Sequence, residues 1–360
     1  MNRIALIIGA AALFAGCSTE LDINAPYKDI TVVYGLLNMR DSVQYVKVNK
    51  AYLGDGDAYI YAQIQDSNEW NSNAITNAKV HRVLNGQRVS SFDLVPTPVT
   101  DREPGIFYAP NQLLYSFQDT YTRQVLQNGI PVTMHLDEDS DYELELTVKG
   151  QTISATTTIV DDFSFQAADQ SLEVAVRLVT PAGGLDQFEL NWTSNKDGKR
   201  YAAEYRFNYK EVRGTDTTDL LSITQGLGKV VSASSSINEP MGLNMDGGQF
   251  FSTLASQIPT DPSVDKRIFL GLDFIIYVAN DEFHTFLSLG EPVSGIIEDR
   301  PSYTNLVNGY GIFAGRYVKR IIGKRLDENT LGELVDGNLT SQLRFCTGIP
   351  ADSNSPYFCP

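Results

Sequence analysis

Cysteine, histidine and tryptophan are scarce in this chain of 360 residues, which holds three, three and two of them. That leaves little material for a metal centre built on thiolates or imidazoles. His81, His135 and His284 fall in no zincin-type pair and beside no nucleophile elbow, so packing or surface roles suit them better than catalysis. Long apolar runs are also missing beyond the amino terminus. The longest, Ile268 to Ala279, is broken by Asp273 and falls short of the roughly 20 residues a spanning helix needs. Positive charge is in deficit as well, with 28 Lys and Arg against 44 Asp and Glu, a net charge of −16. Such a surface argues against nucleic acid or anionic headgroups as partners. The Gly-Asp clusters at Gly54 to Asp57 and Asp246 to Gly248 read as turns, with no βαβ unit around them to make a phosphate cradle. No catalytic residue and no cofactor is indicated.

What is present begins with the first residues. Met1-Asn2-Arg3 is a short, singly positive segment, and Ile4 to Gly16 is apolar or small without interruption. This is the length of a signal-peptide core and too short to span a bilayer. It ends in Leu13-Phe14-Ala15-Gly16-Cys17, with small residues before a cysteine. The expectation is a lipoprotein signal over residues 1–16, cleavage before Cys17, and a membrane anchor through lipid on that thiol. Two or more acyl chains hold a protein stably where one does so marginally. Residues 17–29 are polar, include Pro26, and read as a tether. With Cys17 lipidated, Cys346 and Cys359 remain, and an even pair in an exported chain reads as a disulfide.

From Ile30 onward the pattern is that of strands. Tyr142, Leu144, Leu146 and Val148 alternate with Glu143, Glu145 and Thr147, and Ile153 to Ile159 alternates again after Lys149-Gly150. Asn85-Gly86 between two β-branched runs is a strong hairpin signal, because a type I′ turn needs positive φ at both central residues. The spacing predicts a β-sandwich over residues 30–160. A second β-rich domain over residues 161–360 follows, with strands near Tyr201 to Tyr209, Val230 to Ile237 and Ile268 to Val278. Asn195 to Gly198 has hairpin-turn chemistry. Short helices are predicted near Gly248 to Gln257 and Asn280 to Leu289. The fold class is therefore mainly all-β.

Two candidate sites can be named from residue type. Asp137, Asp139 and Asp141 alternate like the start of a calcium loop, but Tyr142 and Val148 replace the Gly and Glu that such a loop requires, so a solvated turn competes with a weak oxygen-ligand site. Tyr52, Tyr59, Tyr61 and Trp70 could form a sugar platform, against the plainer reading of strand packing.

Several segments together resemble a Bacteroidota lipoprotein family known as domain of unknown function 4249. They are Cys17 with Glu20 to Asp22, Asn77 to Val83, Glu103 to Ala109, Asp141 to Ile159, Asn280 to Leu289 and Tyr303 to Tyr317. A terminal cysteine pair is also similar, although the spacing of Cys346 and Cys359 is longer than that family's. The resemblance implies an immunoglobulin-like first domain and an outer-membrane, surface-exposed lipoprotein acting as accessory to a TonB-dependent transporter. A carbohydrate-binding or carbohydrate-cleaving lipoprotein, and an adhesin or envelope-structural protein, are the alternatives.

Overall fold

A computed structural model describes residues 30–51, 57–127, 130–233, 237–291 and 302–359. Cys17, the leader, the tether and Tyr52 lie outside the described residues. The chain is mostly β, with 49% strand and 17% helix. In chain order it forms β1 (Ile30–Asn38), β2 (Gln44–Ala51), α1 (Ala58–Ala62), α2 (Gln65–Asn68), β3 (Ile75–Leu84) and β4 (Gln87–Asp93). Next come β5 (Val95–Val99), β6 (Gln112–Phe117), β7 (Arg123–Gln127), β8 (Ile130–Met134), β9 (Asp141–Val148) and β10 (Gln151–Thr157). The second half contributes α3 (Ala167–Gln170), β11 (Gln187–Thr193), β12 (Arg200–Arg213), β13 (Asp216–Thr217), β14 (Leu221–Val231) and β15 (Pro240–Asp246). It ends with α4 (Gly247–Gln257), β16 (Lys266–Ala279), α5 (Asp281–Gly290), β17 (Tyr310–Lys324), α6 (Glu328–Asp336) and β18 (Phe345–Thr347).

The local signals act where they fall. Asn85 and Gly86 both take positive φ, 52° and 74°, and Leu84 pairs with Gln87 across them. Lys149 and Gly150 do the same between β9 and β10. Period-two alternation then buries Tyr142, Leu144 and Leu146 completely and leaves the glutamates between them outside the core. Asn195 to Gly198 departs from its predicted role. It joins β11 to β12, which are not paired, because β11 pairs with β15 in a separate ribbon. The turn therefore carries the chain between layers.

Among the described residues ten strands form one sheet, in the order β13-β12-β16-β17-β1-β2-β6-β5, with β14 also on β12 and β18 on β16. A four-stranded sheet, β10-β9-β3-β4, is the second layer of the first half. Residue 160 is where the chain has left that smaller sheet, but the two halves share more than a linker. β1 pairs in parallel with β17, from Val32 opposite Tyr310 to Asn38 opposite Arg316. Gly311 permits the approach: its φ is +106°, and a Cβ there would lie 2.0 Å from the Val33 carbonyl oxygen. One buried cluster consequently runs from Val33 and Leu144 through Trp192 and Phe207 to Phe345.

The core of the second half is aromatic. Phe207 stacks on Phe269 at 4.8 Å and meets Phe345 edge-on at 5.3 Å. Helix α4 adds Phe250, 5.6 Å from Tyr205 and 5.8 Å from Phe207. Such pairs add about 0.5–1.5 kcal/mol beyond the area they bury. Cys346 and Cys359 are joined in a disulfide with Cα atoms 5.1 Å apart. The bond closes the tail against β18, where the Cys359 amide donates to the Thr347 carbonyl at 2.9 Å. No helix among the described residues is long and apolar enough to cross a membrane.

Candidate binding cleft

The large sheet has an inner face on the core and an outer face that is only partly covered. Side chains directly opposite one another on adjacent strands point to the same side. Arg200 on β12 lies opposite Ala279 on β16, which lies opposite Arg316 on β17. The next outer row is Ala202, Tyr277 and Val318. With strands about 4.8 Å apart, the arginines rise from the sheet about 10 Å from each other across nothing larger than a methyl group. Two alanines among larger neighbours make a hollow in the sheet surface.

Helix α5 roofs this hollow. Phe283 and Leu287, one turn apart, turn toward the sheet and line a cleft of about 280 Å³ together with Leu36, Ala202, Ala279, Val318 and the two arginines. Phe286, on a neighbouring position, meets exposed Tyr34 of β1 edge-on at 6.5 Å. The helix is positioned by its cap. Asn280 is fully buried; its Oδ1 accepts from the Phe283 amide at 3.1 Å, and its Nδ2 donates to Thr157 Oγ1 at 2.8 Å and the Thr158 carbonyl at 3.3 Å. Those partners lie at the end of β10, so the first half of the chain fixes a helix of the second.

Charge is concentrated at the rim. Glu291, just past α5, accepts hydrogen bonds from Lys229 and from Arg200, the latter at 2.6 Å. These bonds hold its carboxyl down to about 2. Arg316 is less well matched: among the described residues its nearest acid is Asp41 at 3.6 Å, and its Nε is shut off from solvent with no hydrogen-bond partner there. At the other end of α5, Glu282 is pushed above the usual carboxylate range, first by burial and then by Asp281, Asp197 and Asp141. Asp197 is raised mainly by burial, with Asp141 and Asp161 adding to the shift.

The residues singled out from sequence do not converge on this cleft. Asp137 accepts from the Asp139 amide at 3.2 Å and from Ser140 Oγ at 2.7 Å, an ordinary turn. Asp139 pairs with Lys196 at 3.0 Å, and Asp141 opens β9. No group of three or more metal-ligating side chains occurs among the described residues. His81 is buried in β3 against Ser91 at 2.7 Å, the His135 amide donates to the Met39 carbonyl at 2.6 Å, and His284 rides on α5 beside Ser288. Asp57 and Asp246 each cap a helix, accepting from the Tyr59 and Gln249 amides at 2.8 Å. Asp246 does follow a strand, but β15 and β16 lie in different sheets, so no βαβ cradle results.

The aromatic platform also breaks up. Trp70 is 4% exposed, donates to the Asn49 carbonyl at 3.1 Å and lies under Lys50 and Lys149. Tyr59 is exposed on α1, whereas Tyr61 lines a separate concavity of about 320 Å³ with Tyr34, Phe107, Asn49 and Asn68. The sequence reading missed Arg200, Ala202, Ala279, Glu291 and Arg316 as a set, because only strand register brings them together.

No protein-family model matches the chain, and no curated protein matches it. Among solved structures it is similar to the C-terminal globular domain of oligosaccharyltransferase from Pyrococcus abyssi, at 11% identity and a TM-score of 0.25. That match covers 69% of this chain and 45% of the other, so the chain spans less than half of its length.

Proposed function

We propose that this chain is an outer-membrane, surface-exposed lipoprotein of the family it resembles, acting as a non-enzymatic binding or assembly module accessory to a TonB-dependent transporter. The observation that carries the binding reading is the lining of the cleft under α5. It is apolar at its floor, cationic at its rim, and offers no carboxylate, imidazole or thiol among its described lining residues. Groups of this kind hold a ligand or a partner segment by burial and charge rather than by moving protons. The lipobox ending at Cys17 supports the address, and the polar segment behind it supplies reach from the membrane.

The address is tested by Cys17→Ser. Membrane fractionation should find the variant soluble while the parent pellets and resists high salt. A serine variant that still pellets after a salt wash would overturn the lipid anchor. A carbohydrate-binding reading has one observation in its favour, the concavity where Tyr34, Tyr61 and Phe107 surround Asn49 and Asn68. Much of its polar capacity is already committed, since Asn68 Nδ2 donates to the Tyr61, Ala62 and Ile64 carbonyls. Retention on immobilised oligosaccharides that is lost in Tyr34→Ala would favour it.

A further inference from the structure

We infer that the cleft beneath α5 takes a small apolar monocarboxylate, with its hydrocarbon on the alanine floor and its carboxylate on Arg316. This rests on the binding reading above and names the ligand class for that site. The floor and walls come from Ala202, Ala279, Leu36, Val318, Phe283 and Leu287, and the hydroxyls of Tyr277 and Tyr317, which also line the cleft, already donate to Glu204 at 2.8 Å and Asp162 at 2.9 Å, so the part of the ligand that enters is hydrocarbon. Size sets a bound. At about 30 Å³ per water-sized group, 280 Å³ holds on the order of nine such groups, the scale of octanoate or 3-phenylpropionate.

Charge selects the head group. Arg200 is already matched by Glu291, which also takes the Lys229 ammonium. Arg316 is not matched to the same degree. Asp41 stands at 3.6 Å, beyond hydrogen-bond distance, and the Arg316 side chain, which lines the cleft, is 40% exposed. A guanidinium presents a planar fork that fits one carboxylate, with bonds roughly twice as strong as neutral ones. A neutral alcohol would forgo that gain. A dianion would bring its second charge toward Glu291, whose carboxyl is held ionised. The ligand is therefore singly negative at one end and apolar for the rest.

The test uses the full chain carrying Cys17→Ser, so that no detergent competes for the cleft. Calorimetric titration compares octanoate, 3-phenylpropionate and octan-1-ol. At least one acid should bind about tenfold or more tighter than the alcohol, the factor that 1.4 kcal/mol represents. Arg316→Gln should weaken the acid by about tenfold and leave the alcohol unchanged. Leu287→Trp, which fills the cleft from the helix side, should abolish binding of both; Ala202→Phe fills it from the sheet side and serves if the first variant does not fold. Equal affinity for acid and alcohol would overturn the inference, as would unchanged binding in the filled variant or no heat from either acid at millimolar concentration. Those results would leave membrane anchoring and transporter association untouched. Acid binding without any transporter would refute the accessory reading alone.

Discussion

Replacing Asn280 by alanine should detach α5 from the sheet without unfolding either layer. The cap bond from the Phe283 amide to Asn280 Oδ1 is lost, at about 1 kcal/mol. Removing Nδ2 also strips the donor from buried Thr157 Oγ1, whereas the Thr158 carbonyl still accepts from the Thr157 hydroxyl at 3.2 Å. Leaving the Thr157 acceptor unsatisfied costs about 1–3 kcal/mol, so the whole penalty is about 2–4 kcal/mol. For a chain of this size that corresponds to a drop of about 3–6 °C in melting temperature. Asn280→Ser keeps a capping oxygen and loses the donor, so it should recover about 1 kcal/mol of the deficit. Differential scanning calorimetry gives the melting temperatures, and hydrogen exchange localises the effect. Amides of residues 283 to 287 should lose protection in the alanine variant while β9 and β10 keep theirs. The reasoning is refuted if the alanine variant melts within about 1 °C of the parent, or if β10 loosens as much as α5.

Gly86→Val puts a β-branched residue at a φ of +74°, and thermal melts should show a loss of at least about 1 kcal/mol. Removing the disulfide with Cys359→Ser releases a loop spanning a sequence separation of 13, which the chain-entropy model values at about 3 kcal/mol. Denaturant titration should show it, and peptide mapping of non-reduced protein should find neither thiol alkylated. The raised carboxyl of Glu282 gives a pH effect. Because the folded state holds that proton more tightly than the unfolded chain, its stabilising contribution is complete below the ordinary glutamate value and is lost as pH rises through the folded value. Glu282→Gln should therefore raise the melting temperature at pH 7, by roughly 1–3 °C, and leave it unchanged at pH 4.

What the sequence disclosed follows from the range of the forces involved. Asn85-Gly86, Lys149-Gly150 and the alternation from Tyr142 to Ile159 are local, and each appears in the fold where the pattern put it. The two short helices were legible from apolar spacing, as the caps Asp246 and Asn280 attest. The parallel pairing of β1 with β17 was not, because nothing in either strand's own pattern names a partner 278 positions away, Val32 opposite Tyr310. Packing was the plainer reading of Trp70 and its burial agrees, but its partner was not legible, since the indole finds the Asn49 carbonyl only after the chain doubles back. The cleft was invisible for the same reason. Ala202 and Ala279 are unremarkable in sequence and become a floor only when register sets both beside Tyr277, Arg200 and Arg316.

The central claim is that this chain works from the membrane surface as a binding partner of a barrel transporter. It is tested most directly by extracting membranes of the native organism in mild detergent and purifying the tagged, lipidated chain with its associates. The expected result is co-elution with an outer-membrane TonB-dependent transporter in fixed stoichiometry, with cross-links mapping to the outer face of the large sheet around Tyr34, Tyr277 and α5. Elution as a lone monomer under every mild condition, with no cross-link to a barrel protein in intact cells, would contradict it.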